Sequence, residues 1–66
     1  MFIRIENTII NTTEIQCVKL EKLGYGKGTV DVYFKNSQNI YFSERKLDEC
    51  ATIIDTIAEA CLCQKS

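Results

Sequence analysis

Between Ser43 and Leu62 the apolar residues recur every three or four positions. Leu47, Cys50, Ala51, Ile54, Ile57, Ala58, Cys61 and Leu62 fall on one side of a helical wheel, and Asp48, Thr52, Asp55, Thr56 and Glu59 take the other. This spacing predicts one amphipathic helix over 44–63, with Ser43 as its N-cap and Glu44 at the positive end of its dipole, or a start two or three residues later, since Arg45 and Lys46 are poorly placed at that end. No glycine or proline interrupts it. Such a stripe needs apolar cover, and the chain before it reads as strands that can supply it.

Upstream the period falls to two, and strands are expected over 2–5, 8–10, 15–22, 29–35 and 40–43. Ile3 and Ile5 oppose Phe2 and Arg4, and Glu6-Asn7 forms a tight turn because Asn tolerates left-handed backbone. Asn11-Thr12-Thr13-Glu14 has capping-box spacing with Asn as the cap, enough for a single helical turn. Val18 and Leu20 then alternate against Cys17, Lys19 and Glu21. Leu23 to Gly28 contains all three glycines and reads as a flexible loop. In the next strand Val30, Val32 and Phe34 face inward, with Asp31, Tyr33 and Lys35 outward. Asn36 to Asn39 is turn chemistry, so Ile40 and Phe42 fold back onto the inner face and Tyr41 points out. The expected fold class is α+β, an antiparallel sheet of four to five short strands packed on one C-terminal amphipathic helix, in a single domain over 1–66.

Length changes this picture, because a chain of 66 residues buries only about 60% of its unfolded surface. A core of that size supplies roughly 3 to 5 kcal/mol, so oligomerisation is expected. With 45% apolar and 26% charged residues the composition is that of a globular protein, not of a disordered chain. The longest uncharged apolar runs are short, and the N-terminus lacks the features of a signal peptide, so the chain is expected to be cytoplasmic with no membrane segment. Net charge is −1, with five bases against four acids in 1–43 and three bases against five acids in 44–66. Duplex nucleic acid binders need a basic excess to neutralise phosphates, which this chain does not carry.

Four cysteines invite a metal or redox reading. Cys50 and Cys61 stand about 16 Å apart along one helix face, beyond the reach of a shared ion. Cys61 and Cys63 point in different directions, and the chain has no histidine and no Cys-x-x-Cys pair. Cys50 and Cys61 therefore read as small core residues, while Cys63 falls on the polar side and is expected to be exposed and able to link two chains on oxidation. No metal or cofactor is expected. The glycine-rich stretch is followed by a strand rather than a helix N-terminus, so it lacks the arrangement that cradles phosphate. Without histidine, and with its acids on solvated faces, the chain offers little for general acid–base or nucleophilic catalysis, and a non-enzymatic role is expected.

The sheet face away from the helix is the more informative feature. Phe2, Cys17, Tyr33 and Tyr41 share it with Arg4, Lys19, Asp31 and Lys35, a mixture of aromatic and charged side chains suited to an interface. Cross-strand pairing is the ordinary alternative explanation for such aromatics. The expected binding residues are Phe2, Tyr33, Lys35 and Tyr41 on this face, with Tyr25 and Lys27 from the glycine stretch. The leading expectation is a protein-binding module that associates with itself through the open face or an edge strand. The second is single-stranded nucleic acid or another anionic ligand, stacked on Tyr33 and Tyr41 with Lys19, Lys35 and Arg4 nearby and the loop Gly24 to Gly28 alongside.

The order of elements adds one resemblance. A hairpin, a turn ending in Glu14-Ile15, the strand Gln16 to Lys22, the hairpin Thr29 to Ser43 and a closing helix resemble small bacterial and phage domains with a pleckstrin-homology-like, strands-then-helix plan. The chain is shorter than a full barrel of that kind. The resemblance implies a binding module and carries over no catalytic or binding residue.

Overall fold

The computed structural model describes residues 1–63. Five strands precede one helix: β1 (Phe2–Ile5), β2 (Thr8–Asn11), β3 (Ile15–Gly24), β4 (Lys27–Phe34), β5 (Asn39–Lys46) and α1 (Leu47–Cys63), with a 3-10 turn at Thr12–Glu14. The class is α+β, as the residue pattern predicts. The strands form two antiparallel sheets rather than one, a β1-β2 hairpin and a three-stranded meander in the order β3-β4-β5.

The hairpin separates from the meander because the 3-10 turn redirects the chain. Asn11 caps that turn, its Oδ1 accepting from the Thr13 amide at 3.2 Å and the Thr13 hydroxyl at 2.8 Å. Buried Thr12 donates to the Met1 carbonyl through both its amide and its hydroxyl, which closes the open end of the hairpin. At the other end the left-handed backbone falls on Glu6 (φ 56°), not on Asn7. Ile3 pairs with Ile10 and Ile5 with Thr8, so one face of the hairpin joins the core and the other carries Phe2, Arg4 and Ile9.

In the meander, Val18, Val32 and Ile40 line up across the strands, followed by Leu20, Val30 and Phe42. Val30 and Val32 are completely buried, and the helix covers them with Cys50, Ile53 and Ile57. The helical stripe is turned from the expected one. Ile53 and Ala60 are buried, whereas Ala51, Ala58 and Leu62 are exposed. Small alanines fit either side of a helix, so the wheel alone did not place its centre; the contact with β4 does.

Two boundaries move for one reason. The stretch read as a flexible glycine loop is a two-residue turn: β3 runs to Gly24, β4 begins at Lys27, and Tyr25 (φ 55°) and Gly26 (φ 73°) both take the left-handed backbone of a tight hairpin turn. The long β3-β4 hairpin offers β5 a partner up to its end, with Gly28 opposite Arg45 and Lys27 opposite Lys46. Ser43 to Lys46 therefore continues the strand, and the helix starts at Leu47 instead of 44. The Leu47 amide, which no helical carbonyl can accept, donates to the Gly26 carbonyl at 2.9 Å and fastens the helix to the hairpin turn.

At Gly28 the backbone of β4 is approached closely by both β3 and the first residue of α1. A Cβ there would lie 2.8 Å from the Glu21 carbonyl oxygen and 3.0 Å from Leu47 Cδ2. Backbone cannot yield as a side-chain tip can. Gly28→Ala is therefore expected to destabilise the fold by about 2 kcal/mol, lowering the thermal midpoint by roughly 10 °C. Thermal unfolding followed by circular dichroism checks this, and an unchanged midpoint would mean the three elements are not packed this closely.

Candidate interaction surface

One helix covers one face of the meander, and the opposite face stays open. It carries Cys17, Tyr33 and Asn39 in one cross-strand row and Lys19, Asp31 and Tyr41 in the next. Tyr33 and Tyr41 are thus diagonal neighbours on adjacent strands. The Lys19 ammonium stands 5.4 Å from the centre of the Tyr33 ring, over its electron-rich face. Tyr33 is half-buried and Tyr41 is 57% exposed.

The other expected binding residues do not gather there. Phe2 is 70% exposed but lies on the outer face of the β1-β2 hairpin, in the second sheet with Arg4 and Ile9. Tyr25 is fully exposed at the tip of the β3-β4 hairpin. Lys27 is held by Glu44 on the neighbouring strand at 3.2 Å. Lys35 lies just past the far end of β4, its amide donating to the Glu14 carbonyl at 2.9 Å. Lys27 and Lys35 therefore stand at opposite ends of one strand, roughly 25 Å apart at strand rise.

The two edges of the meander differ. Beside β5, Arg45 lies over the Phe42 ring at 5.3 Å, and its Nη1 is 3.3 Å from the carboxylate of Glu6 in the hairpin turn. Ile9 and Ile10 border Asn39 and Ile40 further along. These side-chain contacts bring the hairpin beside β5, although among the described residues no strand pairs with its outer edge. No ion pair or ring contact from another element among the described residues lies over the outer edge of β3. Among the described residues no backbone hydrogen bond reaches its outer edge, and only Ile15 and Val18 of its 10 residues are even partly buried.

Sequence periodicity places Leu20 inside, and its face is indeed the helix side, but it is 41% exposed because β3 lies at the margin of what the helix covers. Strand order, which decides which strand becomes an edge, is not written in the alternation of a single strand. One signal was available: Lys19 and Glu21, opposite charges two residues apart, share one face of the exposed strand.

Among the described residues no three carboxylate or thiol groups converge as a metal site would need. Cys50 is fully buried, Cys61 is partly buried against the core and Cys17 lies on the open face. The side chain of Cys63 lies outside the described residues. A groove between β1 and α1 contains the hydroxyls of Thr52 and Thr56, but both donate back to helix carbonyls, of Asp48 at 3.0 Å and of Thr52 at 2.8 Å. No helix among the described residues is long and apolar enough to cross a membrane.

With this geometry in hand the chain was compared with protein-family models, curated proteins and solved structures, and it matches none of them. The surface alone carries the functional reading.

Thiol reactivity tests which face is open. Cys17 is expected to alkylate at nearly the rate of a free thiol, and Cys50 about a hundredfold more slowly, because its reaction requires the helix to lift. Residue-resolved mass spectrometry reads both rates. Fast labelling of Cys50 in the folded protein would contradict the placement of the helix.

Proposed function

We propose that the protein is a non-enzymatic protein-recognition module that takes an extended segment of another chain onto the outer edge of β3. The carrying observation is that edge itself: a 10-residue strand whose outward amides and carbonyls have no backbone partner among the described residues. Main-chain hydrogen bonds to an added strand supply affinity in such recognition, and alternate side chains supply selectivity. Here Cys17, Lys19 and Glu21 would meet the segment on the open face, and Val18 and Leu20 on the helix side. Tyr33 and Tyr41, on the strands behind, extend the open face for a partner longer than one strand.

An isolated edge strand risks uncontrolled pairing, and natural sheets restrain it with charges and bulges. Both are present: Lys19, Glu21 and Lys22 lie on β3, and irregularities interrupt its pairing between Ile15 and Cys17 and between Lys22 and Gly24. They confine regular pairing to Cys17 through Lys22. Such a short, charged edge suits a specific, reversible contact.

Leu20→Lys tests the proposal, because it puts a charge at the middle of the edge while leaving a flexible apolar stem over Gly28. Tagged protein is expected to recover co-purifying chains, either untagged copies of itself or other host proteins, at least about tenfold less well as the variant. Circular dichroism verifies that the variant is folded. Equal recovery by folded wild type and variant would overturn the proposal.

A further inference from the structure

The geometry points to a second copy of this chain as the segment that β3 takes, docked antiparallel with Leu20 facing Leu20 across a two-fold axis. The inference rests on the reading of β3 as the recognition edge, and adds which chain it takes and in what register.

Symmetry restricts the choices. Two antiparallel strands related by a two-fold axis within one sheet keep the same face upward, so some residue must meet its own copy at the axis, and its neighbours meet each other crosswise. The regular part of β3 offers Cys17 through Lys22 as that central residue. With Lys19, Glu21 or Lys22 at the centre, like charges meet directly, which is unfavourable. With Cys17 or Val18 at the centre, no opposite charges within the strand face each other and the pairing runs through the irregularity at Gln16.

Leu20 alone satisfies every condition. Lys19 then faces Glu21 of the second copy and Glu21 faces its Lys19, giving two identical pairs of opposite charge on the open face. On the helix side Leu20 meets Leu20, covering side chains that are 41% exposed in the single chain. Val18 meets the aliphatic stem of Lys22. Lysines on an edge normally deter pairing, but here Lys19 has a carboxylate and Lys22 an apolar neighbour across the axis, and no like charges meet. The two meanders become one continuous sheet, with both helices on the same side and the Tyr33 and Tyr41 faces joined on the other.

Charge reversal tests the register as well as the association. Lys19, Leu20 and Glu21 are all exposed, so reversal costs the fold only the surface contacts of Lys19 with Asp31 and Tyr33, and circular dichroism verifies that each variant is folded. Sedimentation across a concentration series is expected to show a wild-type dimer that weakens with added salt. K19E and E21K each turn two attractive pairs into two repulsive ones, and each is expected to raise the dimer Kd at least about tenfold. The double variant K19E/E21K restores opposite charges and is expected to return to within about threefold of wild type. A wild type that stays monomeric, single reversals without effect, or a double variant as weak as the singles would overturn the inference. A monomeric wild type that still recovers a foreign chain, and loses it on Leu20→Lys, would remove the second copy and leave the recognition edge standing.

Discussion

Burial of β4 governs the molecule. Val30 and Val32 have no solvent-exposed surface, and they keep that state only because β3 and β5 flank the strand while Cys50, Ile53 and Ile57 of the helix lie across it. Apolar side chains of this size contribute roughly 1.5 to 3 kcal/mol each when fully buried, a large share of what so short a chain can gather. The hairpin of β1 and β2 adds Ile5 and Ile10 to the same core, and the contact of Glu6 with Arg45 ties its turn to β5. The bond from the Leu47 amide to the Gly26 carbonyl fixes where the helix begins, and so which of its faces meets β4.

That arrangement uses the available apolar surface and leaves a remainder. A single helix covers one face of a three-stranded sheet, and a single hairpin flanks one of its edges. β3 is left with an open face and a free edge, and its Leu20 only half-sheltered. Function is therefore argued from what the core does not need. If another strand covers β3, the apolar surface it buries joins recognition to stability through mass action.

Much of this was legible in the residues. The helix, all five strands, the capped turn at Asn11 and the inward set of Val30, Val32, Ile40 and Phe42 follow from periodicity and turn chemistry. Three features did not, each because a distant element decides them. Ser43 and Glu44 have the composition of a helix start, and although Arg45 and Lys46 allowed a later one, it is the pairing with Lys27 and Gly28 that holds 43–46 as strand. The glycines read as flexibility, yet they permit a tight turn and the close approach at Gly28. Phe2 has the alternation of an open-face residue, but the 3-10 turn puts its strand in another sheet. The face of Tyr33 and Tyr41 was readable from alternation alone; the free edge beside it needed the strand order.

Amide hydrogen exchange along β3, followed by NMR at low and high protein concentration, reads whether its outer edge is free and whether association covers it. In a strand paired on one side, every second amide points away from its neighbour. Cys17 through Lys22 are expected to alternate at low concentration, with amides bonded to β4 protected and those between them exchanging rapidly. At high concentration the fast set is predicted to become protected while the rest of the chain changes little. Outward amides that are already protected in the monomer, or that stay unprotected once the protein has associated, would contradict this expectation.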